Sequence, residues 1–427
     1  MLGKDREKRT AWHRAAQWGR VQTLVKLWKW ATELHIKPEE LRKELWLSND
    51  ELNDTAWHVA AERGHVEVLE KLWDWAKKLQ IKPEELWNKV WLSKDNSGKM
   101  AWHNAARGGH VEVLKKLWEW AKELQLKPEE LRKGVRSKDK YGQTAWHMAA
   151  GGGHVEVLKK LWDWAKELQI KPDELRYEVW VSKGQFNQTV LHKAVAGSHL
   201  EVLKKLWEWA KELQPKPEEL RNEVCMSKDK YEETVWHKAA ERGSIELLEK
   251  LWEWAKELQL KPEELRRELC LSKNEYGKTA WHNAAENGNV EGLEKIWEWI
   301  KAMQLETDEL RKELWLSKGE YERMAWHMAA ENGHVEVLKK LWDWAKELQL
   351  TPEEIRNKVW LSKNDFGLTA WHMAAVYGQV EVLEKLWDWV KELHLKPEEL
   401  RNEMFLFRDV YGQTAWHMAA DEGHVKV

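Results

Sequence analysis

The sequence predicts an all-α solenoid built from about nine and a half copies of a 45-residue repeat. A histidine that mostly follows a tryptophan recurs every 45 residues, with one interval of 44 between His103 and His147. Eight of the nine prolines occupy one column of this repeat, and no segment shows strand-like alternation over a useful length. Periods of roughly 20–50 residues are typical of solenoids, propellers and arrays. The ten repeated histidines are His13, His58, His103, His147, His192, His237, His282, His327, His372 and His417.

We therefore expect one quasi-linear domain over residues 1–427, in which each repeat packs on its neighbours. The repeats, numbered 1 to 10 below, begin near residues 4, 49, 94, 138, 183, 228, 273, 318, 363 and 408, and the last is incomplete.

The composition excludes several function classes. Lys and Arg total 70 against 73 Asp and Glu, so the net charge is only −3. This balance argues against a dedicated nucleic-acid binder or a polybasic membrane surface. No apolar run approaches the roughly 20 residues that a membrane helix needs. The 2 cysteines exclude a disulfide framework, and the 34 tryptophans are a consequence of the repetition.

Repeat 4, residues 138–182, shows the elements in order. Residues 138–143 (KDKYGQ) predict a turn, in which Gly142 supplies a positive φ. Thr144 is a suitable N-cap for a short first helix over residues 145–150, which the glycines at 151–153 end.

A second helix is predicted over residues 154–169, with apolar residues filling about half of its circumference. This arc is wider than the usual surface-helix stripe of about 100°, so the helix should touch more than one layer. Pro172 opens a short third helix that ends near Trp180, with Asp173 and Glu174 in its first turn. We expect the third helix to cover the edge of the second helix that carries Trp164.

Residues 139–158 resemble an ankyrin repeat. The matching features are the turn glycine Gly142, the Thr144-Ala-Trp-His147 motif, the alanine pair, the Gly153-His154 pair and an apolar second helix. The resemblance recurs at all ten Trp-His positions, although Ala-Trp mostly replaces the family's Pro-Leu and each repeat is about 12 residues longer than the usual ~33.

The resemblance implies a curved stack whose turns and first helices line a concave, protein-binding face. It also implies that the histidines brace the turns by hydrogen bonds, and that turn and first-helix-end positions carry the partner contacts. The extra residues fit the longer second helix and the added third helix.

The repeated histidines do not predict a metal site, because helices in neighbouring repeats lie about 10 Å apart whereas zinc ligands lie about 2 Å from the ion. We expect no cofactor. Most tryptophans fall in three columns, represented by Trp146, Trp162 and Trp164, and are predicted to be core residues rather than base-stacking platforms.

A fourth aromatic column closes the third helix and is predicted to be partly exposed. Trp18 and Trp87 lie outside all columns and are weak candidates for surface contacts. Cys225 and Cys270 occupy the fourth column and are interpreted as small hydrophobes that do not pair. Free thiols suit a reducing compartment, so we expect an intracellular, cytoplasmic location. The tryptophans of this column are Trp46, Trp91, Trp180, Trp315 and Trp360.

Differences between repeats concentrate at the turn tip, at the residue before the helix-capping threonine and at the end of the first helix, while the second helix scarcely changes. An aromatic residue follows the tip in most repeats, and aromatic residues are favoured at interfaces. Either these columns bind a partner or they drift neutrally. The candidate partner-binding residues are Asn96, Lys99, Lys140, Tyr141, Gln143, Gln185, Phe186, Lys230, Tyr231, Glu233, Glu275, Tyr276, Lys278, Glu320, Tyr321 and Arg323.

Two repeats look weak. Repeat 3 is one residue short and carries Gly134 and Arg136 where its neighbours have Glu and Trp. Repeat 7 has Gly292 in its second helix and Thr307 in the proline column. We expect extra mobility near residues 130–137 and 290–310.

The leading functional hypothesis is a non-enzymatic scaffold that binds a protein partner on the face of turns and first helices. The alternatives are a structural spacer, a self-associating array that joins end to end through the incomplete repeat 10, and the repeat fragment of a larger effector protein. Catalysis is not expected, because catalysis needs a unique, asymmetric set of groups and every candidate histidine recurs in nearly the same surroundings. We expect neither nucleic acid nor membrane as a partner.

Overall fold

A computed structural model describes residues 3–43, 48–303, 307–393 and 405–426, together with residues 398 and 402. The chain divides into two compact parts, Met1–Pro215 and Lys216–Val427. The division falls at Pro215, the one proline outside the repeat column. The described residues are helical with no strand, which confirms the predicted all-α class. None of the helices in these residues combines the length and apolarity needed to cross a bilayer.

Every repeat contributes a short first helix and all but the last a longer second helix. The first helices are Ala11–Gln17, Ala56–Arg63, Ala101–Arg107, Ala145–Gly151, Val190–Ala196, Val235–Arg242, Ala280–Glu286, Ala325–Glu331, Ala370–Val376 and Ala415–Asp421. The second helices are Val21–Glu33, Val66–Lys78, Val111–Glu123, Val155–Glu167, Leu200–Leu213, Ile245–Glu257, Val290–Ala302, Val335–Glu347 and Val380–Glu392.

The third helix is not the simple α-helix that the sequence predicts. In four repeats it begins as α-helix and continues as a π-helical turn, which accommodates one extra residue. Repeat 3, which is one residue short, has α-helix alone, and so do repeats 5 and 7. The described third helices are Pro38–Arg42, Pro83–Leu86 with Trp87–Trp91, Pro128–Val135, Pro172–Arg176 with Tyr177–Val181, Pro217–Val224, Pro262–Leu265 with Arg266–Leu271, Thr307–Trp315, and Pro352–Ile355 with Arg356–Trp360.

Within each of the two parts, tryptophans of successive second helices stack on one another and form an indole ladder. Trp162 stacks on Trp209 of the next repeat with ring centroids 4.6 Å apart and planes 9° apart. Aromatic pairs of this kind contribute about 0.5–1.5 kcal/mol beyond the area that they bury. Repeats 2 to 8 therefore bury their indoles against neighbours, which confirms the prediction that these columns are core there. In the first and last repeats Trp30 and Trp416 are 50% and 40% exposed. The same pairing occurs at Trp28–Trp75, Trp73–Trp120, Trp118–Trp164, Trp252–Trp299, Trp297–Trp344 and Trp342–Trp389.

The prediction that the fourth aromatic column is partly exposed is wrong for the residues described. Trp91, Trp180 and Trp360 are at most 8% exposed and Trp315 is fully buried, while Trp46 lies outside the described residues. The reason is that the third helix turns this column inward against the indole ladder. Trp180 packs edge-on against Trp162, the other tryptophan of the second helix, rather than Trp164.

The two tryptophans outside the columns have opposite outcomes. Trp87, proposed as a surface residue, is also buried, because it stacks on Trp91 with ring centroids 5.9 Å apart. Trp18 is 64% exposed, in agreement with the prediction.

The two cysteines are buried, as expected of hydrophobic substitutes for tryptophan, and neither forms a disulfide. Burial raises the pKa of the Cys225 and Cys270 thiols to about 12, so neither is a reactive thiolate near neutral pH.

A second histidine column braces the ends of the first helices. Nε2 of His154 donates to the carbonyl of Arg107 in the preceding repeat at 2.9 Å, and the imidazole lies against Gly109. Asn289 and Gln379 keep a donor in this column, since their amides also donate to the preceding first helix. Ser244 does not, because its hydroxyl donates to Glu246 of its own helix. The equivalent histidines are His65, His110, His199, His334 and His424.

The predicted mobility near residues 130–137 and 290–310 stays a prediction, and residues 304–306 lie outside those described. Two glycines of repeat 7 test the packing of that region. A Cβ on Gly288, which has φ +74°, would lie 2.7 Å from Nδ1 of His334, whereas a Cβ on Gly292 would make ordinary contact with Leu248 at 3.6 Å.

We expect opposite effects from alanine at these two sites. Gly292→Ala should raise the free energy of unfolding by up to about 1 kcal/mol, because alanine favours the helix and meets no clash. Gly288→Ala should lower it by about 1 kcal/mol or more, because alanine resists positive φ and displaces the histidine brace. Urea unfolding of the two variants measures both changes, and equal effects would contradict this packing.

Candidate functional site

The candidate site is the row of turns between repeats, and an acidic or amide side chain shapes most of them. Oδ1 of Asp139 accepts from the backbone N–H groups of Tyr141 and Gln143 at 2.9 and 2.8 Å. Asp and Asn favour such turns because their side chains reach the backbone two residues on. The same pair of bonds forms at Asp5, Asp50, Asp95, Asp229, Asn274, Asn364 and Asp409.

Backbone hydrogen bonds connect the turn tips into a ladder. The N–H of Lys140 donates to the carbonyl of Ser97 in the preceding repeat at 2.8 Å, and Glu275 donates to Tyr231 at 2.9 Å. The tip backbone is therefore used in stacking the repeats, while the tip side chains Asn96, Lys140, Lys230 and Glu275 are exposed. Asn96 also donates from its side-chain amide to the carbonyl of Glu51 in the preceding repeat at 2.9 Å. The charged tip side chains, in contrast, can vary without altering the backbone ladder.

Two repeats replace the turn acid with glycine and use a different turn, which the sequence analysis missed. Gly184 and Gly319 precede short 3-10 turns in which Phe186 and Tyr321 adopt positive φ values of 58° and 54°. The tip residues of these turns fold inward. Gln185 accepts from Nε2 of Gln143 at 2.9 Å. The glycine at the acid position is the signal that distinguishes them.

The aromatic row beside the tips is exposed on the turn face. Tyr141, Phe186, Tyr276 and Tyr321 are each between 43% and 48% exposed, and Tyr231 is half-buried. Adjacent members touch: the Tyr231 and Tyr276 rings stack at 6.4 Å, and those of Tyr321 and Phe366 are 5.3 Å apart. A hydrogen bond to Glu275 raises the pKa of Tyr276 to about 12. The row is a series of rigid apolar surfaces suited to contact.

The Trp-His histidines connect each first helix to the following turn, which confirms the bracing role. Nδ1 of His147 faces the backbone N–H and the hydroxyl of Thr144 at 3.3 and 2.9 Å. Nε2 lies 3.0 Å from the carbonyl of Ser182 in the loop before repeat 5. A carbonyl only accepts, so Nε2 carries the proton and Nδ1 accepts. Both ring nitrogens are used in the fold.

Burial keeps these histidines neutral. It lowers the pKa to about 4 at His103, His147, His237, His282 and His327. At His13, His58 and His372 the pKa is also below its ordinary value, again because burial disfavours the charged ring.

Three candidate binding residues before the capping position are tied into internal ion pairs. Glu233 is buried and pairs with Lys238. Lys278 pairs with Glu286 at 2.9 Å and with Glu320 at 3.6 Å. Arg323 likewise pairs with Glu331 at 2.7 Å and Glu320 at 3.2 Å. These side chains are less available to a partner than their variability indicated, because each pairs with a charge five or eight residues further along the chain.

Repeat 2 places two carboxylates where repeat 7 has an ion pair. Asp54 occupies the column of Lys278, and Glu62 that of Glu286. Burial, followed by repulsion from Asp50 and Asp95, raises the pKa of Asp54 to about 7. Its Oδ1 atom is buried without a hydrogen-bond partner among the described residues. The charged form of Asp54 is therefore energetically unfavourable, and the residue lies on the same face as the candidate site.

Comparison with known families agrees with the geometry. Residues 326–427 match the family model described as ankyrin repeats, in 3 copies. No curated protein matches the chain. The earlier repeats contain the same first helices, second helices and bracing histidines as the matched region, so the array they form is consistent with ankyrin repeats.

The neutral histidines predict a loss of stability in mild acid. Their folded pKa values lie below the ordinary value of 6.5, so between about pH 6.5 and about 4 the unfolded chain binds protons that the folded chain does not. The free energy of unfolding should be fully developed above about pH 6.5 and fall as the pH drops through this window. His147→Gln removes one such group, so its slope against pH should be shallower by about 1.4 kcal/mol per pH unit. Urea unfolding at several pH values measures both slopes, and identical slopes would contradict the assignment.

Asp54 predicts the opposite dependence. Because its pKa is raised from 3.8 to about 7, its charge opposes folding increasingly as the pH rises from about 4 to about 7. Asp54→Asn should therefore stabilise the chain by about 1 kcal/mol or more at pH 8 and by less at pH 5. Thermal unfolding at the two pH values measures the difference, with Asp50→Ala as a control that should destabilise because alanine cannot accept the two backbone N–H groups that Asp50 binds. Equal gains at both pH values would refute a raised pKa at Asp54.

Proposed function

We propose that this ankyrin-repeat array is a non-enzymatic protein-binding module whose partner contacts the turn tips and the ends of the first helices. Ankyrin repeats are in general non-catalytic protein-interaction modules, which supports the class of function. The proposal adds the face that binds. A cytoplasmic location belongs to the same proposal and is supported by two buried, unpaired thiols.

The observation that carries the proposal is that backbone groups and side chains have different roles in the turns. Backbone groups build the ladder, as Lys140 and Glu275 do, while the side chains of the same residues remain exposed and differ between repeats. The second helices, in contrast, repeat nearly the same residues because stacked indoles fix them. Variation is thus concentrated where it costs the fold least.

The exposed aromatic row supplies contact area beside these charges. Rigid aromatic side chains lose little conformational entropy on binding and are enriched among residues that dominate interface energies. Tyr276 beside Glu275 and Tyr141 beside Lys140 combine an apolar surface with a charge of defined sign. Such pairs suit a protein surface that has complementary charge.

Reversing the charges at the turn tips should weaken binding of the partner. The turn-face variant is Lys140→Glu, Lys230→Glu and Glu275→Lys, and it should lower affinity at least about tenfold because it places like charges against the partner. Affinity capture from the source cell, followed by titration of the captured protein, measures the change.

The control carries the same charge changes on the second helices, at Lys115→Glu, Lys204→Glu and Glu253→Lys. These residues form exposed ion pairs within their own helices, which contribute little to stability. The control should retain the partner. A partner that binds the turn-face variant and the control equally well would overturn the proposed face.

A further inference from the structure

A polar cleft of about 700 Å³ opens on the turn face across repeats 3, 4 and 5, within the part Met1–Pro215. Three cations line it, Lys99, Arg107 and Lys193. The cleft exists because Gly151 and Ala196 stand at the ends of the first helices, where repeats 2, 6, 7 and 8 carry glutamate. A volume of this size accommodates several side chains of a ligand.

In the described part of the chain the three cations have no carboxylate within ion-pair distance, and Asp139 attracts Lys193 and Lys99 only from further away. Among the described residues none of them forms an ion pair, and Lys193 makes no side-chain hydrogen bond. Lys193 is partly buried, and this burial lowers the pKa of its ammonium group. A partly desolvated cation without a partner is costly to maintain unless something else compensates it.

Repeat 6 shows what the same position does when carboxylates are present. Lys238 occupies the column of Lys193 and pairs with Glu233 and Glu241. In repeat 5 those two carboxylate columns hold Gln188 and Ala196. Repeat 5 therefore has the lysine but lacks the two carboxylates that neutralise it in repeat 6.

Repeat 7 gives the same comparison for the second cation. Lys278 occupies the column of Lys99 and pairs with Glu286, eight residues further on, at 2.9 Å. The residue eight positions after Lys99 is Arg107, which adds a positive charge instead of cancelling one. The array thus contains its own examples of the group that fits these cations, and that group is a glutamate carboxylate.

The cleft itself offers little negative charge. Asp139 is the only carboxylate among the residues that line it. Its Oδ1 atom is committed to two backbone N–H groups of the turn, and burial raises its pKa. Gln143 and Gln185, hydrogen-bonded to each other, form a neutral polar wall. The balance of charge in the cleft is positive.

We propose that this cleft binds an acidic segment of the protein partner, whose glutamate or aspartate side chains pair with Lys99, Arg107 and Lys193. The inference rests on the proposed function and adds the chemistry of the ligand and its place in the array. Repeats 3 to 5 supply the acid-binding site. In other repeats the carboxylates belong to the chain itself, whereas in this cleft the partner supplies them.

The test uses the full chain and a fluorescent peptide of Gly and Ser around a central run of Glu, with a Gln peptide as its neutral match. Fluorescence anisotropy should show binding of the Glu peptide that weakens as salt rises, and binding of the Gln peptide that is at least about tenfold weaker. Equal affinity for the two peptides would overturn the inference. So would inorganic phosphate that binds as tightly as the Glu peptide, because the cleft would then be a general anion site.

Two kinds of variant locate the binding. Lys99→Gln and Lys193→Gln should each weaken the Glu peptide by about tenfold, while Lys78→Gln, an exposed lysine at the end of a second helix, should not. Ala196→Glu and Gly151→Glu supply the carboxylate from within, as Glu241 does for Lys238, so they should abolish peptide binding without lowering the urea midpoint. A Cβ on Gly151 would meet Lys193 only at 3.8 Å, so this variant has room to fold. Undiminished peptide binding in Ala196→Glu and Lys193→Gln would refute the site.

The natural partner separates this inference from the proposed function. A captured protein that is lost from the turn-face variant but kept by Lys99→Gln with Lys193→Gln would overturn the acidic segment and leave the proposed function standing. A captured protein that binds neither the turn-face variant nor Lys99→Gln with Lys193→Gln supports the proposed function and the acidic segment alike.

Discussion

The structure depends on one constraint, that the polar and apolar groups of each repeat are largely completed by a neighbour. Trp162 finds its stacking partner, Trp209, in the next repeat, and His147 finds its acceptor in the loop that leads there. His154 reaches back to the preceding first helix in the same way. Because these contacts link neighbours, substitution in their columns is felt in two repeats at once. The near-identity of the second helices follows directly from this coupling.

The same constraint leaves one face free to vary. The turn ladder uses backbone N–H and carbonyl groups, which any residue except proline can supply, so the side chains of Lys140 and Glu275 are not needed for stacking. Substitutions that alter binding on this face therefore need not lower stability, whereas substitutions in the indole ladder would. Asp54 marks the limit of this freedom, since its buried carboxylate with a pKa raised to about 7 shows that some positions near the turns are costly to charge.

The period, the helices and the core tryptophans were predictable from the sequence because they repeat, and repetition averages out local ambiguity. What the sequence could not supply was the direction of side chains on the short third helix. Trp91 and Trp315 are both buried, although only Trp91 lies in a π-helical turn. Their burial comes from packing of the third helix against the core, which no local propensity predicts. The environment of three candidate binding residues was hidden for a related reason. Variability suggested exposure at Glu233, Lys278 and Arg323, but their ion pairs join residues that only the fold brings together.

Those ion pairs allow equivalent positions in different repeats to be compared. A site that occurs once in a protein offers no such comparison for an unpaired cation. Here Lys193 and Lys238 occupy one column of the repeat, each in the first helix of its own repeat, and differ in the carboxylates around them. The contrast removes the explanation that the lysine is required by the fold, because the fold provides for it in repeat 6 and not in repeat 5. An unpaired cation that persists beside a cleft of about 700 Å³ is better explained by what enters the cleft than by what surrounds it.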